Sequence, residues 1–314
     1  MRRRSFLIRA AALTSAVAGG LWLKDHLIWR RPSVAFAGDG SSGWRPFVAG
    51  DALTPTVRVR LGGREVAALI DSGAQYSVID RALVAELGLD DFFDMPLVAY
   101  GVGGRPQLGR GVTLALQVGG MAVTGLRVGI LDLGPLAVAE GLGTPLILGQ
   151  DLLMQTVLDL DLKRRRARFV APARHAPSPA LRSIGVGRSG TAMVAEVTVE
   201  GVVVRAVVDT GASALIALSQ GAAESAGLLD GRPEAPGSSI VLGGVTSARV
   251  IRARTVTFGD DLWRNVATPV FVDAPLPNYP EALLGMGAFL GREVSLDLGG
   301  GRLHLAPMMS VTVV

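Results

Sequence analysis

The chain contains no cysteine, few aromatic residues (5%) and only three histidines among 314 residues. Without cysteine there are no disulfides, no thiol nucleophile and no thiolate metal site. Beyond the first 37 residues only His175 and His304 remain. Neither lies near a nucleophile-elbow sequence, and histidine-rich metal spacing is missing. Long apolar runs are missing too. The stretch Ala10–Leu23 is too short and too weakly apolar for a comfortable membrane span. Gly185–Gly190, "GVGRSG", has the letters of a dinucleotide fingerprint but precedes a strand-like run, not a helix, and reads as a turn.

A net charge of +4 and a pI near 10.1 point at first to nucleic acid. Residues 1–37 hold seven of the 31 basic residues and one of the 27 acids, so the rest of the chain stands at −2. The basic character belongs to the N-terminal segment, and no nucleic-acid partner is expected. "KRRRAR" at 163–168 lies in a strand-like context and reads as a solvated hairpin. The N-terminal segment has a basic start, an apolar stretch and an Ala35-Phe36-Ala37 cleavage signal. "RRSFLIR" from Arg3 resembles the twin-arginine export motif. Residues 1–37 are therefore read as an export leader and the protein as periplasmic. Membrane contact arises only if the leader is not removed.

What is present is a repeat. "AALIDSGAQYSVID" at 67–80 matches "RAVVDTGASALIAL" at 205–218, with Asp71 and Asp209 138 residues apart. Upstream, "VRVRLGGREV" pairs with "AEVTVEGVVV", each a strand, a turn and a returning strand. Downstream, Gly103-Gly104 matches Gly243-Gly244, Gly149 matches Gly285, and Asp161 matches Asp297, in order and at offsets of 140, 136 and 136. The Pro/Ala-rich stretch 171–180 separates the copies as a linker, giving lobes at 38–170 and 181–314. Each lobe is mostly short strands with one short helix, in "IDRALVAELGL" and "LSQGAAESAGL", ending near Gly88 and Gly227. The fold class is all-β.

An aspartate inside an apolar turn is a liability unless it has a partner. If the lobes pack about a pseudo-twofold axis, Asp71 and Asp209 face each other and share one proton. Such a pair can hold a water, take a proton from it and donate one to a carbonyl. Ser72 and Thr210 supply hydroxyls that can reach the opposite loop. Gly73 and Gly211 allow close backbone approach to the acids.

"LIDSGA", "VVDTGA", "LILGQDLL" and "ALLGMGAFL" resemble the active-site and apolar-Gly motifs of the aspartic peptidases, and within them of retropepsin-like bacterial members. The resemblance covers nearly all of the chain after the leader. It implies a bilobal acid-protease fold of two β-barrel-like lobes, catalytic Asp71 and Asp209, and Gly149 and Gly285 on strands threading behind the catalytic loops. It implies flaps tipped by Gly103-Gly104 and Gly243-Gly244, with Tyr100 near the first as a possible substrate contact. A peptide or protein substrate follows, with no cofactor and no metal, in a monomer that carries both halves of its site. Ala74 and Ala212 stand where pepsin-like enzymes commonly carry a hydroxyl, which implies a milder pH optimum. Two departures stand out: Ala214 replaces an expected hydroxyl, set against Ser77 in the first half, and Met286-Gly287 replaces Gln150-Asp151. The alternative reading is a catalytically silent peptide-binding or scaffolding protein with the same fold.

Overall fold

The computed structural model describes residues 31–49, 52–99, 107–138, 142–241, 244–272 and 280–308. Within each half a short hairpin starts the lobe. In Thr56–Leu61 side chains alternate, with Val57, Val59 and Leu61 inward and Arg58 and Arg60 outward, the period-2 pattern of a half-buried strand. The partner Arg64–Ile70 returns after a two-residue turn at Gly62-Gly63, both with positive φ. The second lobe repeats this with Ala192–Val199 and Val202–Val208, joined by Glu200-Gly201, again both at positive φ. That backbone matches the right-handed twist of the flanking strands.

Each hairpin closes into a six-stranded barrel. In the first lobe the order is Thr56–Leu61, Arg64–Ile70, Leu146–Leu148, Val78–Asp80, Met121–Leu131, Gln107–Val118 and back to Thr56–Leu61; Met121–Leu131 also pairs directly with Gln107–Val118. In the second it is Ala192–Val199, Val202–Val208, Ala282–Leu284, Ile216–Ser219, Asp261–Phe271, Gly244–Phe258 and back to Ala192–Val199. The two orders correspond strand for strand, so the sequence repeat is a repeat of topology. This is an all-β, bilobal acid-protease fold. Closure removes the exposed edges that open sheets must protect.

The helices fall where expected. Arg81–Leu87 is capped by Asp80, whose carboxylate accepts from the Ala82 N–H, and ends at Gly88 in the left-handed conformation. Gln220–Ser225 is capped by the Ser219 hydroxyl, which accepts from Ala222 N–H. Two one-turn segments that the sequence did not announce, Gln150–Leu153 and the 3-10 turn Met286–Phe289, follow Gly149 and Gly285.

A third sheet joins the lobes: Arg182–Ile184, Arg302–Leu305, Glu293–Asp297, Val157–Asp161, Arg166–Val170 and Arg45–Pro46. Its central pair is antiparallel across the lobes, with Leu158 opposite Leu296 and Leu160 opposite Val294. The repeated Asp161 and Asp297 end these central strands and hold matching turns, Asp161 accepting from Arg164 N–H and Asp297 from Gly300 N–H. "KRRRAR" is the hairpin expected of it. Arg166 and Arg168 lie over the Trp44 ring, and their guanidiniums reach Asp161 and Asp159. Residues 186–189 form a strand turning at Gly190 into Ala192–Val199, so "GVGRSG" carries no helix.

One boundary differs from the sequence reading. Ser33–Phe36, inside the stretch read as leader, pairs antiparallel with Met121–Thr124, and the Ala37 N–H donates to the Gly120 carbonyl at 2.8 Å. Val34 and Phe36 are half-buried against the first lobe's core. The first lobe therefore starts at Ser33, not at residue 38. A leader's end and an edge strand share the same short, weakly apolar composition, which is why the sequence did not separate them.

Candidate active site

Each Asp-(Ser/Thr)-Gly loop leaves the end of one inner strand and is backed by another. Leu146–Leu148 runs parallel to Arg64–Ile70 and antiparallel to Val78–Asp80, so it is threaded between the strands on either side of the first loop. Ala282–Leu284 does the same between Val202–Val208 and Ile216–Ser219. The backing strands fix the loops directly: Asp71 N–H donates to the Leu148 carbonyl and Asp209 N–H to that of Leu284, both at 2.9 Å.

These contacts bring Asp71 and Asp209 together at the junction of the lobes, both with no more than 1% of their surface exposed. Around them the arrangement is two-fold symmetric. Asp71 Oδ1 accepts from Gly73 N–H at 2.8 Å and Ala74 N–H at 3.0 Å; Asp209 Oδ1 accepts from Gly211 N–H at 2.8 Å and Ala212 N–H at 3.1 Å. Each hydroxyl crosses to the other lobe. Ser72 Oγ donates to the Val208 carbonyl at 2.7 Å and accepts from Thr210 N–H at 3.0 Å. Thr210 Oγ1 donates to the Ile70 carbonyl at 2.7 Å and accepts from Ser72 N–H at 2.9 Å. Four buried hydrogen bonds lock the loops to one another. Removing either hydroxyl leaves buried backbone groups unpaired, at about 1–3 kcal/mol each.

Gly73 and Gly211 have a reason beyond flexibility. A Cβ on Gly73 would stand 2.7 Å from the Asp209 carboxyl carbon, and one on Gly211 would stand 2.6 Å from that of Asp71. Each glycine packs against the opposite acid. Gly149 and Gly285 are equally tight, since a Cβ there would meet the Ala74 and Tyr76 carbonyls, or those of Ala212 and Ala214, within 2.8 Å.

Electrostatically the pair is poised. Burial pushes the Asp71 carboxyl up to about 6, against the hydrogen bonds from Asp209 and the Gly73 and Ala74 N–H groups that pull it down. A half-buried acid, Asp151, is raised to about 6 as well, again by loss of solvent, while the Ser77 hydroxyl, the Ser77 N–H and Leu152 N–H oppose the rise. Sequence reasoning did not single out Asp151.

The asymmetry between the lobes is clearer in three dimensions. Ser77 Oγ donates to Asp151 at 2.7 Å and accepts from Gly149 N–H at 3.0 Å. In the second lobe Gly285 N–H donates instead to the Leu215 carbonyl, and Gly287 N–H to that of Ala214. Ala214 is thus the counterpart of Tyr76, and Leu215 the counterpart of Ser77; pairing Ala214 with Ser77 was one residue out of step. Backbone carbonyls do in the second lobe what a hydroxyl does in the first, so the missing hydroxyl strands no donor there.

The two hairpins expected as flaps are Phe92–Ala99 with Gln107–Val118, and Glu234–Val241 with Gly244–Phe258. Tyr100, Gly103, Gly104 and Gly243 lie outside the described residues. Gly244 pairs with Val241 and starts the returning strand.

His175 shows how proximity misleads. Its Nε2 lies 3.0 Å from Asp159 Oδ1 and 3.1 Å from Ser295 Oγ. Both contacts fall on one ring nitrogen, whereas a hydrolytic triad needs the acid on one nitrogen and the nucleophile on the other. His175 therefore clasps the linker to both lobes across the joining sheet.

Comparison with known proteins agrees with the geometry. No curated protein matches the chain. Among solved structures it is similar to Basic 7S globulin from soybean, at 10% identity and a TM-score of 0.44, over 88% of this chain and 95% of that one. It is also similar to a retropepsin-like aspartic protease from Rickettsia conorii, at 26% identity and a TM-score of 0.30, over 40% of this chain and 89% of that one. The aspartyl protease family model matches residues 57–152 and 195–288, one segment in each lobe and more than half of the chain in all. The chain belongs to the aspartyl protease family.

Proposed function

We propose that the protein is an exported endopeptidase that hydrolyses peptide bonds with a water activated between Asp71 and Asp209. The observation that carries this is the dyad itself: two buried carboxyls, each bonded by two backbone N–H groups and held together by reciprocal Ser72 and Thr210 bonds. Preorganised groups of this kind need no rearrangement as charge develops.

With one proton on the pair, the charged member takes a proton from water as its oxygen attacks the carbonyl carbon. The protonated member gives its proton to the carbonyl oxygen, leaving a neutral tetrahedral diol. Breakdown returns the proton on the oxygen to the dyad and moves the other to the leaving nitrogen, so each acid serves in both directions. The two hairpins would close over the peptide and exclude water. The basic, weakly apolar N-terminal segment supports export, and one chain holding both halves of the site supports a monomer.

The reading is tested by incubating the full chain with a peptide library and following cleavage by mass spectrometry, with and without a pepstatin-type inhibitor. Internal cleavage that the inhibitor blocks is expected. Inhibitor binding without any turnover would place the protein among silent peptide binders.

A further inference from the structure

Gln150 and Met286 occupy the same place in the two lobes. Each follows the glycine behind its catalytic loop, and each backbone N–H donates to the residue after the Asp-(Ser/Thr)-Gly turn, Gln150 to the Ala74 carbonyl at 2.8 Å and Met286 to that of Ala212 at 2.7 Å. Both side chains are buried, but they differ in kind. Gln150 Nε2 donates to the Ser72 carbonyl at 2.8 Å, while its Oε1 accepts from the Thr191 hydroxyl at 2.5 Å. The Met286 side chain has no hydrogen to donate.

The peptide unit that Gln150 holds by its carbonyl is the one whose N–H, on Gly73, donates to Asp71 Oδ1 at 2.8 Å. A donor on the carbonyl polarises the amide and strengthens its N–H as a donor, each link of such a chain adding roughly 10–30%. The chain runs from the Thr191 hydroxyl through the Gln150 amide and the Ser72–Gly73 peptide to the Asp71 carboxylate. Gly211 N–H makes the equivalent bond to Asp209, but Met286 cannot supply the link behind it. Thr191 lies in the turn between Val186–Ser189 and Ala192–Val199 of the second lobe, so the chain is complete only when the lobes are docked.

We propose that Gln150, oriented by Thr191, is a positioning residue that makes the dyad unequal, keeping the negative charge on Asp71 and the proton on Asp209. Asp71 is then the member that takes the proton from water, and Asp209 the one that donates to the carbonyl oxygen; this assignment rests on the peptidase reading above. The titratable group facing Asp71 is Asp209, across the axis. Asp151, next to Gln150, is turned to the Ser77 N–H and hydroxyl, and the Tyr76 phenol pKa is raised by burial and, less, by the charge of Asp151.

The test is a carbon-13 NMR titration of the aspartate carboxyls in the full chain, for the wild type, Gln150→Met and Thr191→Val. Gln150→Met installs the residue that the second lobe already buries at this position. It should raise the pair's first ionisation by about half a pH unit, the size expected for loss of one polarising link. Thr191→Val, on an exposed turn, should move it the same way by less. A folded Gln150→Met with an unchanged dyad titration overturns the proposal; if that variant does not fold, an unchanged Thr191→Val does so alone. The titration reads the inference whether or not peptide is cleaved, so failure of the peptidase reading shows separately, as an inactive wild type with the shift intact. In active protein the acid limb of the rate profile should follow the NMR shift, with kcat reduced and KM nearly constant. A merely structural glutamine would lower the melting temperature and leave both untouched.

Discussion

Replacing Asp151 with asparagine should change stability with opposite sign on the two sides of about pH 4.5. Burial raises the folded-state pKa of Asp151 from 3.8 to about 6. Between those values the folded chain binds more protons than the unfolded one, so this group's contribution is complete at about pH 3 and is lost as pH rises through about 6. At 1.36 kcal/mol per pKa unit the loss is about 3 kcal/mol. That is a ceiling, because Asp151 keeps some contact with solvent. Asparagine has no charge to desolvate. It keeps an oxygen for the Ser77 hydroxyl and Leu152 N–H, but loses the second acceptor facing Ser77 N–H at 3.1 Å, a cost of about 1 kcal/mol. The variant should therefore be about 2 kcal/mol more stable than wild type at pH 8 and about 1 kcal/mol less stable at pH 3. At roughly 1–2 °C per kcal/mol for a chain of this length this is a melting-temperature gain of about 3 °C at pH 8 and a loss of about 1–2 °C at pH 3. Thermal unfolding by circular dichroism across that range reads it. A difference of the same sign and size at both ends would refute the assignment of a raised, desolvated carboxyl.

Gly211→Ala places a Cβ 2.6 Å from the Asp71 carboxyl carbon; kcat on a cleaved peptide should fall at least about 100-fold, since misplacing reacting groups by about 1 Å costs that much, and an unchanged kcat would reject the proposed contact. The pH–rate profile should peak at mild pH, because burial holds Asp71 near 6; a maximum below about pH 3, the pepsin-like range, would contradict it. Because Ser33–Phe36 is an edge strand of the first lobe, N-terminal sequencing of the protein recovered from cells should read a start at or before Ser33, and a start at Gly38 would contradict a part for the strand in holding the lobe.

Much of this was legible in the sequence because the lobes repeat. Two Asp-(Ser/Thr)-Gly turns, each followed at matching distance by an apolar-Gly motif, identified Asp71, Asp209, Gly149 and Gly285 before any coordinates. The terminating Gly88 and Gly227 marked the helices by local chemistry, while the caps at Asp80 and Ser219 emerged only from the structure. What was not legible depends on distant pieces meeting. The joining sheet is assembled from strands as far apart as Arg45–Pro46 and Arg302–Leu305, and no local pattern announces such a pairing. Gln150 looked like a departure between halves, and its bond to Thr191 exists only across the lobe boundary. Ser77 and Ala214 were aligned one residue out of step, because letters alone do not show which carbonyl a glycine packs against.

The most direct test of the central claim is peptide cleavage by Asp71→Asn and Asp209→Asn, each first shown to fold by its circular dichroism spectrum. Asparagine keeps the size of the side chain and an acceptor for the loop N–H groups, but it can neither take a proton from water nor exchange one with its partner. Each variant should lose at least about 1,000-fold in kcat/KM, a loss of about 4 kcal/mol of transition-state stabilisation. Cleavage retained at the wild-type rate by either one would contradict the account.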